Sequence, residues 1–346
     1  MLSFPFSGRA PTVGDRVIVR RRIPNTPGHL TDVIGHVVSL EPLILRPQSV
    51  GGLPSSAPTV LIDASLVKIL KVLSPRRVMN SDIRAIEHAT ALAFPGIEHA
   101  WSEDGQWLMR AGDGITERSN SATPLGAAAG FSLPPLAEIC EFYARHELPV
   151  RVHLPERIAR NAERLCQPPG WELGPDIIVM SRSLNDYDTD TPPTLPAGMT
   201  VSVEEQPDAA WLEQYHFRGQ ALPVHALELL MREIEGHMGF AQIRVGEQTV
   251  AITRATITES PDGRRWLGYS AVEVKDAWRR RGLGTQLGRA VLHWGAENGA
   301  TDAYLQVIAS NTAGIGLYER LGFIEHHRHR YATELGDQRL GASRGG

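Results

Sequence analysis

The sequence predicts an α/β (α+β) protein in which a small all-β unit precedes two mixed halves, and three observations carry that prediction. Residues 12–74 hold short alternating apolar runs (GDRVIVRRRI, TDVIGHVVSLEPLIL, PTVLIDASL, VKILKVL) separated by Gly, Pro and Ser. Residues 81–183 and 199–331 instead alternate strand-like with helix-like segments in a parallel order. Between them, 184–198 (LNDYDTDTPPTLPAG) is too rich in Asp, Thr and Pro for a regular element and reads as a linker. The expected divisions are therefore 1–75, 76–183, 184–198 and 199–346.

A chain of 346 residues is long enough for two or three domains. With 42% hydrophobic and 21% charged residues and a net charge of −4, the composition is that of an ordinary soluble protein. No run of eighteen apolar residues occurs. The start, MLSFPFSGRAPTV, has neither a basic leader nor a long apolar core, which argues against secretion and for the cytoplasm. The two cysteines, Cys140 and Cys166, both fall in amphipathic helical patterns, so a disulfide framework is not expected.

The strands of the first unit, with their tight turns, suggest an SH3-like β barrel, with 48–58 (QSVGGLPSSAP) as a hairpin loop. This unit carries eight basic residues (Arg9, Arg16, Arg20, Arg21, Arg22, Arg46, Lys68, Lys71) against four acidic ones, a net charge of +4 in an otherwise acidic chain. Such a face suits nucleic acid or an acidic protein partner, but few aromatics accompany the charges, and a solvated basic surface explains them equally simply.

The second unit opens with Ser81 as the cap of a helix (SDIRAIEHATALAF). Two strand-like pieces follow (GQWLMRAG and GITERSNSATPL), then a helix with Leu136, Ile139, Cys140 and Tyr143 on one face. A strand (PVRVHL), a helix (ERIARNAERLC) and a last strand (DIIVMSRSL) complete it.

The third unit runs through a strand (MTVSVEE), helices near 211–217 and 227–234, and the strands FAQIRVG, TVAITRATI and WLGYSAVEV. The last strand leads into 276–284 (DAWRRRGLG), and a helix leaves from about Thr285 with Leu287, Val291, Leu292 and Trp294 at helical spacing. A helix start leaves N–H groups without partners and carries roughly half a positive charge. Gly282 and Gly284 let the main chain approach an anion closely, and Arg279, Arg280 and Arg281 add charge at the same spot. A phosphate or pyrophosphate fits such a place. A nucleotide P-loop is excluded because no Gly-Lys pair occurs in the chain. A dinucleotide fingerprint fits poorly, because the third glycine, Gly288, comes one position late.

An alternating strand (TDAYLQV) and a short helix opened by Asn311 (NTAGIGLYERLGF) follow. The order of strand, Arg-x-x-Gly-x-Gly, helix, strand, Asn and Leu-Tyr-Glu-x-Leu-Gly-Phe resembles the GNAT superfamily of acetyl-CoA-dependent N-acetyltransferases, closely over 272–323 and in outline over 199–331. The resemblance implies a C-terminal GNAT fold, acetyl-CoA as co-substrate and no metal. It places Val272, Val274, Arg279, Arg280, Arg281, Gly282, Leu283, Gly284, Thr285, Asn311 and Tyr318 at the coenzyme. In the first half the corresponding stretch, TPLGAAAGFSLPPL, has no basic residue; it is either a degenerate GNAT-like copy that binds no coenzyme or an accidental parallel. A barrel ahead of two such halves is similar to an actinobacterial GNAT family whose members include N-acetylglutamate synthases and histone-acetyltransferase-like enzymes, and ITERSNSATPL and EFYARHELPV add to that likeness.

The chemistry sets its own demands. An amine attacks a thioester only when neutral, and deprotonating a lysine of pKa about 10.4 at pH 7 costs roughly 4 to 5 kcal/mol, so a base or water relay is needed. Glu273 is the candidate base, on the strand face opposite Val272 and Val274. Gln306 stands where some relatives carry a glutamate, which favours a water relay; His216, His225 and His237 are weaker candidates. Tyr318 is the candidate acid for the leaving thiolate, and a strand N–H near Val274 the oxyanion donor. If the acceptor is glutamate, the acceptor the resemblance favours, arginines must grip its carboxylates, and Arg254, Arg218 and Arg118 are available. Two other readings stay open: a protein-lysine acetyltransferase and a non-catalytic acyl-CoA sensor.

Overall fold

The computed structural model describes residues 4–335 except 8–9, 25, 27, 50–51, 53, 74–77, 186, 192, 218–219 and 222. They divide into two units, Met1–Met79 and Asn80–Gly346.

The first unit is a six-stranded sheet around one apolar core. Its strands are β1 (Phe6–Ser7), β2 (Arg16–Arg22), β3 (Leu30–Leu40), β4 (Leu43–Pro47), β5 (Val60–Leu61) and β6 (Val67–Val72), in the order β1-β6-β2-β3-β4-β5. Alternation along β2 turns Val17 and Val19 into a core shared with Val37, Leu45 and Leu70. Arg20 faces out and pairs with Asp32 directly across β3, Nη2 to Oδ2 2.8 Å, while Arg16 Nε donates to Gln48. Part of the basic surface is thus already neutralised within the sheet. Arg9 lies outside the described residues.

The second unit begins with α1 (Asn80–Ala93), β7 (Glu98–Trp101), β8 (Leu108–Ala111), β9 (Ala122–Thr123), α2 (Leu136–Arg145), β10 (Arg151–Pro155), α3 (Arg160–Leu165), β11 (Trp171–Leu173) and β12 (Ile177–Ser183). It continues with β13 (Met199–Glu204), α4 (Ala209–Gln214), β14 (His216–Phe217), β15 (Gln220–Ala221), α5 (Val224–Glu233), β16 (His237–Val245), β17 (Gln248–Glu259) and β18 (Arg265–Val274). The last elements are α6 (Leu283–Glu297), β19 (Asp302–Ile308), α7 (Thr312–Arg320) and β20 (Ile324–Glu334).

Several elements differ from expectation for local reasons. α1 starts at Asn80, so Ser81 lies inside the first turn rather than capping it. GITERSNSATPL forms a strand only at its end, because Asn120 Oδ1 accepts from Gly112 N (2.8 Å) and Gly114 N (3.1 Å) and ties the stretch into a turn. The helix expected near 211–217 stops at Gln214, and the chain enters the short β14–β15 hairpin. The described residues of the linker form no regular element but are docked: Leu184 is buried, Leu195 packs on the core, and Tyr187 donates to Arg289 O at 3.3 Å.

One sheet runs through both halves of this unit, in the order β13-β16-β17-β18-β19-β12-β20-β10-β9-β8-β7, with β11 also on β20. The halves exchange strands. β12, from the first half, sits between β19 and β20. β20, from the second, pairs through its early residues with β12 and through its later residues with β10 and β11. α6 covers one face, burying Leu287 and Val291 with Leu267, Tyr269 and Leu305, and α1 covers the other, burying Ile86 and Ala89 with Val179, Trp266 and Tyr304. Among the described residues no helix is long and apolar enough to cross a membrane, and both cysteines are free thiols.

Candidate active site

The site is made by two parallel strands that part. β18 and β19 pair only at Trp266–Asp302, Leu267–Ala303 and Gly268–Tyr304, although β18 runs on to Val274 and β19 to Ile308. Gly268 permits the close contact at the fork, since a Cβ there would lie 2.8 Å from the Tyr304 ring. Beyond it the backbone groups on one edge of β18 face an open wedge, where an extended amide-bearing chain can add as a strand would.

A bulge at Ala271 then changes which side chains face which way. Ala271 takes φ 56°, and the β17 register shifts between Ile252 and Arg254. Before it Leu267 and Tyr269 face α6; after it Val272 and Val274 do, while Ala271 packs on the α4–α5 side with Trp211 and Phe240. Glu273 therefore lies on the face away from α6, as its alternation with Val272 and Val274 requires. Burial raises its carboxyl above the usual range, with the nearby His216 and Arg279 pulling it back. His216 Nδ1 lies 2.7 Å from Gln214 O, so Nδ1 is the nitrogen that donates there. His225 and His237 lie on α5 and at the start of β16, both exposed.

At the mouth of the wedge, Gly282 takes φ 79° and opens α6, and no side chain caps the helix. Its first N–H groups thus remain available to an anion. Arg279 is held over the turn by Nε to Val274 O (3.0 Å) and by Asp276 (2.9 Å), Arg280 adopts φ 59°, and Arg281 stacks on Trp278 at 4.8 Å. The other glycines serve packing: a Cβ on Gly284 would lie 3.2 Å from Leu317, and one on Gly288 would strike Leu321. Leu283 is buried in the core, Thr285 is half-buried, and Val272 and Val274 turn their side chains to that core, so these residues reach the wedge through backbone alone or not at all.

α7 delivers Tyr318. Asn311 Oδ1 caps the helix by accepting from Gly314 N at 2.9 Å, so its carboxamide is occupied there. The helix ends in a Schellman turn: Phe323 N donates to Tyr318 O and Gly322 N to Glu319 O, both 3.0 Å, with Gly322 at φ 82°. Leu-Tyr-Glu-x-Leu-Gly-Phe is thus a helix stop that fixes Tyr318 against Tyr269 and Phe323, ring centroids 6.0 and 6.4 Å away. Burial raises the Tyr318 phenol to about 12.

On the opposite side of the wedge, two of the three arginines expected to hold an acceptor come together. Arg118 lies 4.0 Å and Arg254 4.2 Å from the centroid of the Phe94 ring. Arg254 is fully buried, with Nε to Ser270 Oγ at 3.3 Å, and the ion pairs of the described residues do not include it. Arg254 Nη1 and Arg118 Nε have no hydrogen-bond partner among the described residues. Phe94, Arg118, Ser270, Tyr304 and Gln306 line a cavity of about 20 Å³ here, room for about one water. Gln306 points to Thr90 of α1 (3.4 Å) rather than to the α6 face. Arg218 lies outside the described residues. The sequence reading missed Phe94, because a lone aromatic at a helix end carries no motif.

Comparison with known proteins gives the family and the fold. A family profile described as "Probable histone acetyltransferase Rv0428c C-terminal" matches residues 80–332, and "Rv0428c N-terminal Sm-like domain" matches 11–53. The chain is 34% identical over 323 residues to "Probable histone acetyltransferase Rv0428c" of Mycobacterium tuberculosis, covering 93% of this chain and 95% of that protein. It is 33% identical over 190 residues to a mycothiol acetyltransferase of Streptomyces scabiei, covering 50% and 56%. Among solved structures it is similar to a GCN5-related N-acetyltransferase from Kribbella flavida (TM-score 0.54, 16% identity, 76% of this chain and 98% of that one). It is also similar to a tandem GNAT protein of the clavulanic acid pathway (TM-score 0.51, 16% identity, 72% and 86%).

Proposed function

The chain belongs to the GNAT-type acetyltransferase family of Rv0428c, and on that premise we propose that it moves the acetyl group of acetyl-CoA to a primary amine that also carries a carboxylate. The observation that carries the acceptor class is the pair of arginines on Phe94, each with an unfilled donor, at the side of the wedge away from α6. A buried guanidinium without an acidic partner is costly, and a carboxylate that reaches Arg118, the one of the two that lines the small cavity, offsets that cost through charge-assisted hydrogen bonds once the cavity widens to admit it. Free glutamate is the first acceptor to test.

We read 76–183 as a GNAT-like half without coenzyme and 199–346 as the catalytic half. The uncapped start of α6 and Arg279 to Arg281 hold the coenzyme's diphosphate, and the free edge of β18 aligns its pantetheine amides. Bound acetyl-CoA supplies the activated acyl group. Glu273, raised by burial, takes the amine proton through water, and the β18 N–H near Val274 meets the developing oxyanion. Tyr318 acts differently from a full proton donor. At about 12 its phenol lies above a thiol near 8.5, so complete transfer is uphill by roughly 4 to 5 kcal/mol, and its work is to hold the departing sulfur with a hydrogen bond.

The test follows CoA release with purified protein, acetyl-CoA, a panel of amino acids and a lysine-rich peptide. Turnover of a dicarboxylic amino acid, with a roughly 10- to 100-fold higher acceptor KM in Arg118→Gln and an unchanged KM for acetyl-CoA, is the expected result. The relative's name favours a second reading, protein-lysine acetylation. Peptide turnover without amino-acid turnover would select it, and CoA binding without any turnover would select the acyl-CoA sensor.

A further inference from the structure

Where the two halves exchange strands, the fold buries a set of groups that the proposed acetyl transfer does not use. Glu87 stands on α1, His153 on β10, and His327 and His329 on β20, all with side chains 0 to 2% exposed. Glu87 Oε1 lies 3.6 Å from His329 Nδ1 and 3.8 Å from His153 Nε2, and those two nitrogens meet each other directly.

The donor chemistry of this cluster does not close on itself. An imidazole nitrogen offers either one N–H or one lone pair, so the facing His153 Nε2 and His329 Nδ1 can share only a single hydrogen bond between them. If either ring donates to the other, that proton is used between the rings, and Glu87 Oε1 gains no hydrogen bond of its own from the pair. If neither donates, three lone pairs converge. Beyond the cluster, Glu87 Oε2, His153 Nδ1 and His329 Nε2 have no hydrogen-bond partner among the described residues. Arg110, the nearby buried cation, donates to Phe94 O (3.2 Å) and Thr123 Oγ1 (3.0 Å) and makes no hydrogen bond to Glu87 among the described residues.

We propose that Glu87, His153 and His329 form a buried site for a divalent transition-metal cation of the zinc class, a cation that pins α1, β10 and β20 together at the strand exchange. Bonds of about 2.0 to 2.1 Å in a tetrahedron set donors about 3.3 Å apart; the two separations from Glu87, 3.6 and 3.8 Å, are near this, while the two ring nitrogens stand closer and would part to admit the ion. Two imidazoles and a carboxylate select zinc-like ions over the all-oxygen preference of Mg²⁺ and Ca²⁺. The unpartnered Oε2 lets Glu87 bind through both oxygens and complete four donor atoms. His327 Nε2, 2.8 Å from Oε1, donates to the carboxylate and fixes its orientation, as outer partners of metal ligands do. Nothing in the catalytic chemistry requires the ion. Its place is structural, at the root of β20, which follows Tyr318 after the turn at Gly322.

The test uses the full chain, stripped with chelator and titrated with Co²⁺ as a visible probe. The expected result is one Co²⁺ per chain with the intense visible bands of tetrahedral coordination, displaced by Zn²⁺. Zn²⁺ in excess should raise the melting temperature by on the order of 5 °C. Glu87→Gln and His329→Gln, checked for a cooperative melt, should each weaken uptake by roughly 10- to 100-fold or more. His293→Gln, in the surface pair with Glu297, should leave uptake unchanged. Wild-type protein that takes up no stoichiometric Co²⁺ and shows no thermal shift overturns the proposal without reference to any variant. So does uptake that survives both Glu87→Gln and His329→Gln.

Discussion

The two halves of the larger unit each join a strand to a helix through a glycine-bearing loop, and the loops differ in what satisfies their backbone. In the second half, the turn at Gly282 leaves the start of α6 uncapped beneath three arginines. In the first, the loop between β9 and α2 is filled from within: Gln106 Oε1 accepts from Ala128 N at 2.7 Å, Gln106 O accepts from Gly126 N at 2.9 Å, and Arg84 donates to the carbonyls of Gly126 and Ala127. A Cβ on Gly126 would strike Gln106, so even the glycine there serves close packing rather than ligand access. An anion site is thus made less by glycine than by leaving amides without an internal partner. The same loop position becomes structural once a side chain is folded into it.

That contrast is most strongly challenged at Gly282. Gly282→Val forces a β-branched residue into φ 79°, at a cost of roughly 1 to 3 kcal/mol. Acetyl-CoA affinity should fall by about 10- to 100-fold in calorimetry, with a melt that stays cooperative and drops by roughly 2 to 10 °C; unchanged affinity would mean that the diphosphate lies elsewhere. Tyr318→Phe should lower kcat by up to roughly 100-fold with KM for acetyl-CoA nearly constant, because the lost bond matters only as sulfur departs.

Glu273→Gln addresses the pH dependence. The folded carboxyl is raised above its ordinary value, so it is protonated and idle below that point, and wild-type kcat/KM should decline as pH falls through a window above the usual carboxylate range. The variant should be slower, by about 10- to 100-fold, and should lack that acidic limb; an identical limb would assign it to another group. The smallest effect belongs to the closed loop. Arg84→Gln should cost about 1 kcal/mol of stability by denaturant melting and leave acetyl-CoA affinity untouched, since it removes two bonds to carbonyls that no ligand uses.

Much of this was legible in the sequence because it rests on local rules. The turn that opens α6 was visible in Arg279 to Gly284, and the GLYERLGF stretch carried a helix stop whose Schellman bonds fix Tyr318. What was hidden depends on residues distant in the chain. The bulge at Ala271 leaves no glycine signal, although it resets which side chains face the wedge. The meeting of Arg118 with Arg254 on Phe94 brings together residues more than a hundred positions apart. The alternating His327 and His329 were readable as one face of a strand, but their partners Glu87 and His153 belong to the other half and no spacing links them.

The reciprocal strand exchange has a consequence for inheritance. A fragment starting at the linker would lack β12, leaving β19 and β20 each with a raw edge, and a fragment ending there would lack the β20 residues that lie between β10 and β11. Neither half can be discarded by deleting its coding segment. The first half is needed whatever it binds, because its neighbour's sheet cannot close without it.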